Sequence, residues 1–203
     1  MDSVEPIEQY VQRRATVDIS SALSRGWALV RDNMAILVGA SLLAWLMTCV
    51  PVVGWLLGFV LLGGLDYLFL RRMRGETVQI GDVFAGFNLA FLNLVMCGLV
   101  KVLLVCLGLI ACLLPGIYLG VGYVFAIPLV IDKKMDFWPA MELSRQVVHK
   151  HWWSIFALLV VLALVAFAGF LVCGVGALIT IPLASAAFLY VYEDLFGAPV
   201  VAQ

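Results

Sequence analysis

The sequence predicts an all-α fold, a polytopic transmembrane helical bundle of six spans, and three observations lead to it. Hydrophobic residues make up 65% of the 203 residues and charged residues only 12%, whereas soluble domains contain roughly 25% charged residues. Long apolar runs extend from residue 34 to residue 196, and basic residues gather between alternate runs. We expect one membrane domain over 17–196, with cytoplasmic tails at 1–16 and 197–203.

The apolar runs divide into spans because one crossing needs about 20 apolar helical residues. Proline and glycine mark the cuts: Pro51 and Gly54 interrupt the first run, Pro115 and Gly116 the second, and Gly174-Val175-Gly176 the third. The resulting spans form three helical hairpins. They are predicted at 34–50, 54–70, 89–114, 117–131, 153–173 and 176–192.

The distribution of Lys and Arg predicts the orientation. Eleven of the twelve basic residues precede the first span or lie between spans two and three or four and five, and the three hairpin tips carry no charge. Cytoplasmic loops are enriched in Lys and Arg, so both termini are expected in the cytoplasm. A net charge of -1 provides no basic surface for nucleic acid. Seven basic residues are candidate contacts for anionic lipid headgroups: Arg25, Arg31, Arg71, Arg72, Arg74, Arg145 and Lys150.

Two segments before spans have helical periodicity and an apolar face, which predicts interfacial amphipathic helices at 18–31 and 137–151. Asp18 suits the cap of the first and Pro139 the first turn of the second. His149 and His151 are two residues apart and point to different sides of a helix, so headgroup contact is expected there rather than a shared metal ion.

A threefold internal repeat is also predicted. Residues 22–25 align with 142–145 at a period of 120, and the tip glycines are 62 and 60 residues apart. Small residues at a spacing of four follow each tip and would let helix backbones approach closely, so spans two, four and six are expected to meet near the centre. Coincidence is the alternative, because glycine is common in membrane helices. The packing residues are Gly54, Gly58, Gly116, Gly120, Gly176 and Thr180.

Five short motifs in order support a family resemblance. They are Arg74-Gly75-Glu76, the segment 82–87, Leu114-Pro115-Gly116-Ile117, Asp132 followed by the segment 140–145, and His151-Trp152-Trp153. This order resembles a family of bacterial integral membrane proteins of unknown function, related to the membrane portion of some glycerophosphodiester phosphodiesterases. The resemblance implies a multi-helix membrane protein without a known activity and supplies no catalytic residues. We expect it in the bacterial cytoplasmic (inner) membrane.

Lys101 is the charged residue that the topology does not explain. It falls near the middle of span three, where an ionised side chain costs several kcal/mol unless it is paired, snorkels or faces water. Asp66 is the acid inside span two, and Asn93 lies two turns before Lys101. Three readings stay open: a structural lysine satisfied by backbone carbonyls or Asn93, an ion or substrate pathway, and a neutral or snorkelled side chain.

No metalloprotease, nucleophile-elbow, phosphate-loop or paired-carboxylate motif occurs in the sequence, so no enzyme activity, metal or cofactor is predicted. Cys49, Cys112 and Cys173 precede the hairpin tips and could converge as a thiolate site, although cysteine is also a common apolar filler. The leading hypothesis is a non-enzymatic membrane protein that acts as a scaffold, an assembly or stress factor, or a lipid-interacting component. The alternative is a small transporter or channel with a pathway near Lys101.

Overall fold

The structure is a computed structural model that describes residues 17–48, 53–171 and 176–197. These residues form α-helices and one 3-10 helix, with no strand among them, so the predicted all-α class is confirmed. The first and third predicted tips, with Cys49 and Cys173, lie outside the described residues. The helices are α1 (Ile19–Asp32), α2 (Met34–Thr48), α3 (Val53–Met73), α4 (Ala85–Leu89), α5 (Phe91–Ala111), α6 (Leu113–Gly122), α7 (Ala126–Asp132), α8 (Phe137–Lys150), α9 (Trp152–Leu171) and α10 (Ala177–Phe196), with the 3-10 helix Ile80–Phe84 before α4.

Several helices have the length and composition of membrane spans. Within the described residues, four segments qualify, namely α5, α6 with α7, α9 and α10, and a fifth if α1 and α2 count as one span bent by 99°. Helix α3 has 21 residues, roughly 31 Å at about 1.5 Å per residue, and Asp66 is its one charged residue before Arg71. These helices are those of a membrane protein.

The segments differ in burial. In the most apolar window of α6–α7, 61% of the residues are buried, and 39% in that of α10, against 22% in each of α5 and α9. Large side chains of the two outer helices, such as Ile110 and Phe170, are mostly exposed. Of these four segments, α6–α7 and α10 are therefore the more buried, and α5 and α9 the more exposed.

The turn between α5 and α6 differs from the prediction. The chain reverses at Cys112, whose backbone is extended (φ -170°, ψ 149°), and not at Pro115 and Gly116. Pro115 is the third residue of α6, where a backbone N–H has no acceptor within the helix, so proline removes no hydrogen bond there. The third predicted span therefore ends at Ala111, and the fourth begins at Leu113.

A break at residues 123–125 separates α6 from α7 inside one apolar segment. Pro128 accounts for its position, because proline cannot donate to the carbonyl four residues earlier and its ring clashes with that carbonyl. Helix α8 satisfies backbone groups at the break. The Ser144 Oγ donates to the Gly122 carbonyl at 2.8 Å and accepts from the Phe125 N–H at 3.3 Å. Ser144 is fully buried, so its hydroxyl satisfies backbone groups that water does not reach.

Helix α1 is capped as predicted and packs on the last helix of the chain. Asp18 Oδ1 accepts the backbone N–H groups of Ser20 at 3.0 Å and Ser21 at 3.1 Å. Gly26 lies on the buried face of α1, and a Cβ added there would be 3.0 Å from the backbone nitrogen of Ala187 in α10. Glycine thus permits a close approach of the two helices.

Three single residues interrupt the chain before an apolar helix, and they share one backbone conformation. Asn33 stands between α1 and α2, Ala90 between α4 and α5, and His151 between α8 and α9. Their φ angles are -131°, -154° and -120°, and their ψ angles are 31°, 35° and 25°. Each of these apolar helices therefore begins after the same kind of bend.

Candidate functional site

Lys101 lies in the middle of α5 and is half-buried. The carboxylate of Asp66 on α3 is close enough to attract its ammonium group. The two side chains nevertheless form no ion pair within 4.0 Å, and among the described residues Lys101 has no hydrogen-bond partner.

The level of the two residues along their helices explains the missing contact. Helices α3 and α5 run in opposite directions, with Gly63 against Leu94. Asp66 is three residues from this level towards one end of the bundle, and Lys101 is seven residues towards the other. Ten residues correspond to about 15 Å. The lysine stem inclines towards the helix N-terminus and shortens this gap, but does not close it.

Asn93 does not serve Lys101. Its Nδ2 donates to the Asp136 Oδ1 at 3.2 Å, and Asp136 is the residue before α8. Asn93 therefore joins the start of α5 to the start of α8. The three residues of the predicted intramembrane polar site, Lys101, Asp66 and Asn93, are not assembled into one site.

The densest charged arrangement lies instead where α3, α7 and α10 end or approach their ends. We call Arg74, Asp132, Tyr192 and Glu193 the Asp132 cluster. Arg74 Nη1 donates to Asp132 Oδ1 at 2.6 Å, and Arg74 Nε donates to Glu193 Oε1 at 2.7 Å. The Tyr192 hydroxyl donates to Asp132 Oδ2 at 2.9 Å. One guanidinium thus joins three helices that are distant in sequence.

Burial decides the strength of this cluster. The side chain of Asp132 is only 4% exposed and that of Arg74 is 40% exposed. Burial disfavours the charge on Arg74, but the hydrogen bonds and attraction from Asp132 and Glu193 outweigh it and raise the pKa of the guanidinium. Arg74 therefore stays charged at any pH at which the protein is folded.

The other arginines predicted to contact lipid headgroups are also paired inside the protein. Each donates to a nearby carboxylate or amide oxygen, and several pairs link separate elements. The pairs are Arg25 with Asp194, Arg31 with Asp32, Arg71 with Glu76 and Asp82, Arg72 with Asn33, and Arg145 with Glu142. The hydrogen bond from Arg145 lowers the pKa of Glu142. The basic face is therefore largely neutralised, which the count of basic residues alone does not reveal.

The six predicted packing residues face a different helix from the one expected. Each has its nearest neighbours on the membrane-length or apolar helix that precedes it in the chain. The contacts are Gly54 and Gly58 with Thr48, Gly116 with Gly108, Gly120 with Val105, and Gly176 and Thr180 with Gly169. The reason is geometric: helices that follow one another in the chain are already adjacent, and small residues in their contact let them approach further.

A groove lies beside the junction of α8 and α9, where α6 passes. It has a volume of about 530 Å³, and we call it the His149 groove. The Tyr118 hydroxyl is 2.8 Å from His149 Nδ1, and the Tyr118 ring stacks on Trp152 with centroids 6.2 Å apart. The lining residues are Leu114, Tyr118, His149, Lys150, His151, Trp152, Trp153 and Ser154.

The described cysteines are not gathered into a site. Cys106 and Cys112 are exposed, and Cys97 is buried. In the described ranges, no group of three or more His, Cys, Asp or Glu side chains is arranged to hold a metal ion.

Four residues that make the contacts described above were not predicted as site residues from the sequence: Tyr118, Asp132, Tyr192 and Glu193. A signal for the last was present, because Glu193 ends an apolar run on the side of the bundle where basic residues gather. An acid at that place predicts an internal partner for one of the arginines. Tyr118 carries no such signal, since a tyrosine within an apolar run is ordinary.

No family model matches the chain, and neither a curated protein nor a solved structure shows significant similarity to it.

Proposed function

We propose that the chain is a non-enzymatic integral membrane protein of the bacterial inner membrane, with six spans and both termini in the cytoplasm. Its role is that of a lipid-embedded scaffold, in assembly or in a stress response. The observation that carries this proposal is the Asp132 cluster. There the charges of Arg74, Asp132 and Glu193 pair with one another and join three helices.

The pairing of the other arginines supports the same role. A catalytic group must be able to change its protonation or its bonding during a reaction, whereas a buried charge held by two partners stabilises one arrangement. Arg25 joins α1 to α10, and Arg72 joins α3 to the break at Asn33. The charged end of the bundle thus acts as a set of internal links.

A threefold repeat is part of the proposal, and its support is a recurring spacing. The register of this spacing is 118 residues between the first and third units, two residues fewer than the 120 that aligns residues 22–25 with 142–145. Asn33, Ala90 and His151 each precede an apolar helix, and the residue seven positions before each of them contacts a helix elsewhere in the chain. Gly26 meets Ala187, the Val83 carbonyl meets Gly64, and Ser144 meets Gly122. The unit boundaries are then 57 and 61 residues apart (Asn33 to Ala90 to His151), and the first unit packs on the last and closes a ring.

Relation to the membrane portion of glycerophosphodiester phosphodiesterases stays a prediction from the order of short motifs. Scaffolding follows from the internal pairing of charges and does not depend on that relation.

A transporter or channel is the second candidate, and one observation favours it. Lys101 and Asp66 influence each other across the bundle without a direct bond, and ionisable groups inside spans often mark ion or substrate pathways. A polar pathway to Lys101 is what this candidate requires.

Reconstitution separates the two functions. We expect purified protein in liposomes to give no increase in proton, sodium or chloride flux over empty liposomes, as followed by entrapped dyes. We also expect Lys101→Met to leave the flux unchanged and to retain or raise thermal stability, because an unpaired charge is removed from an apolar helix. Flux through the wild-type protein that Lys101→Met abolishes would establish transport and refute the scaffold.

A further inference from the structure

Helix α8 is turned sideways from the span that follows it. The break at His151 between α8 and α9 has nearly the backbone conformation of the break at Asn33, with φ angles of -120° and -131° and ψ angles of 25° and 31°. Helices α1 and α2, which flank Asn33, meet at 99°, so α8 turns away from α9 by a comparable angle. Since α9 has the length and composition of a span and crosses the bilayer in the proposed function, α8 runs parallel to the membrane surface.

One face of α8 is polar and open. It is formed by Trp138, Glu142, Arg145 and His149, which follow one another at intervals of four, three and four residues and therefore lie in one line along a helix. The side chains of Glu142 and Arg145 are 35% and 39% exposed, and Trp138 and His149 are exposed as well. The buried residues of α8 all lie outside this line. We call these four residues the α8 stripe.

The α8 stripe is self-complementary about its centre. Two copies inserted in the same direction are related by a twofold axis perpendicular to the membrane, so helices that lie in the membrane plane meet antiparallel across it. The midpoint of Trp138 and His149 coincides with that of Glu142 and Arg145, between residues 143 and 144. With the axis at this point, each acid would face the base of the other copy, and each indole would face an imidazole. A parallel contact would bring like charges together instead.

The ion pair inside the stripe leaves capacity for a second partner. Arg145 donates its Nε and Nη2 groups to Glu142 at 2.9 Å and 2.6 Å, and its Nη1 group has no acceptor among the described residues. Glu142 accepts three hydrogen bonds, and a carboxylate has about four acceptor sites. Arg25, Arg72 and Arg74 each bond to another helix or to a break. The bonds of Arg145, in contrast, stay within one helix.

We propose that two copies of this chain associate in the membrane through the α8 stripe, packed antiparallel about a twofold axis. Each Arg145 donates to Glu142 of the other copy, and each Trp138 ring lies against His149 of the other copy. The four charges then form one network instead of two separate surface pairs, each of which is worth little. The inference rests on the proposed function, and it supplies a partner for the scaffold, a second copy of itself.

Disulfide formation between two differently tagged copies tests the contact. In a variant whose five native cysteines are replaced by alanine, Trp138→Cys is co-expressed with His149→Cys, and the membranes are oxidised with copper phenanthroline. We expect a disulfide-linked dimer from the mixture and none from either variant alone, because the two positions lie about 16 Å apart along the helix. Trp27→Cys with His149→Cys is the matched control. Trp27 is an exposed tryptophan of the other amphipathic helix and should give no dimer.

Charge reversal tests the complementarity in the same assay. Glu142→Arg in both copies should lower the yield of the mixed dimer about tenfold, which corresponds to about 1.4 kcal/mol, because it brings like charges together across the axis. Exchange of the pair, Glu142→Arg with Arg145→Glu, should restore the yield. Asp32→Arg is the control, since it reverses the acid of another exposed local pair and should leave the yield unchanged.

Counting of bleaching steps on the wild-type chain, with one fluorophore on each copy in liposomes at low density, needs no cysteine variant. We expect two steps. Single-step bleaching would overturn the proposal, as would two-step bleaching without a disulfide in the mixture, which would locate the contact elsewhere. Disulfides from either single variant alone, or equal effects of Glu142→Arg and Asp32→Arg, would also overturn it.

The flux assay keeps this result separate from the proposed function. Single-step bleaching without flux would refute the contact and leave the scaffold in place. Flux that Lys101→Met abolishes would refute the scaffold, whatever the number of copies.

Discussion

Replacing Asp132 with asparagine tests whether the Asp132 cluster holds the three helices together. Asparagine keeps the shape of the side chain but removes its charge. Towards Arg74 it presents either an NH2 group, which is a donor, or an uncharged oxygen, which is a weaker acceptor. The altered contacts are the bond from Arg74 at 2.6 Å and the bond from Tyr192 at 2.9 Å. The carboxylate also faces Lys133 Nζ at 4.0 Å, so the perturbation removes one charge that two cations attract and alters two hydrogen bonds.

The burial of the two partners sets the expected magnitude. A hydrogen bond to a charged group contributes about 1.5–3 kcal/mol, and the side chain of Asp132 is 4% exposed. Arg74 is 40% exposed and keeps Glu193, so solvent and the remaining acid reduce the loss. We expect Asp132→Asn to lower the free energy of unfolding by about 2 kcal/mol. For a chain of this size that corresponds to a melting temperature lower by about 4–8 °C.

The assay is thermal unfolding in detergent, followed by circular dichroism, with Asp32→Asn as the matched control. Asp32 also pairs with an arginine, Arg31 at 3.2 Å, but the two side chains are 62% and 63% exposed, so the control should change stability by less than about 0.5 kcal/mol. A double-mutant cycle of Asp132→Asn with Arg74→Gln should give a coupling energy of about 1 kcal/mol or more. Equal effects of the two Asp→Asn variants, together with no coupling, would refute the reasoning.

Two further pairs of variants test packing and backbone repair in the same unfolding assay. Gly116→Ala should destabilise the protein by about 1–3 kcal/mol, because its new Cβ would lie closer to α5 than van der Waals contact allows. The control Gly120→Ala is on the same helix and should be tolerated, since its Cβ would have its nearest neighbour at 4.0 Å. Equal effects of the two variants would contradict the close approach of α5 and α6. Ser144→Ala should lower the free energy of unfolding by about 1–3 kcal/mol, because it leaves buried backbone groups without a partner. The control Ser24→Ala, at the position equivalent to Ser144 in the alignment of residues 22–25 with 142–145, loses only an exposed hydrogen bond within α1 and should be nearly neutral. A neutral Ser144→Ala would show that another group satisfies the backbone between α6 and α7.

Local signals in the sequence predicted the local features well. Asp18 stands directly before a segment of helical periodicity and caps α1, because a side-chain acceptor at that position reaches only its own backbone. Pro139 lies in the first turn of α8, where proline costs no hydrogen bond. The Cys112 turn was placed three residues late, since Pro115 breaks a helix only when four residues of that helix precede it.

Predictions that involved two helices were less accurate. Gly116 was expected to pack against another even-numbered span, whereas its nearest neighbour is Leu109 on α5. Asn93 and Lys101 share a helix and were expected to share a site, yet Asn93 donates to Asp136. The number of residues between two positions gives their distance along one helix and contains no information on which other helix stands beside them.

By itself, the sequence determined the all-α class, the membrane-length helices and the concentration of basic residues, because composition and periodicity act within each segment. Only the tertiary structure decided what those basic residues do. Arg74 lies 58 residues from Asp132 and 119 from Glu193, and a hydrogen bond of 2.6 Å forms only when the packing of three helices brings their ends together. The His149 groove has the same origin, since Tyr118 and His149 are 31 residues apart and meet only where α8 packs on α6.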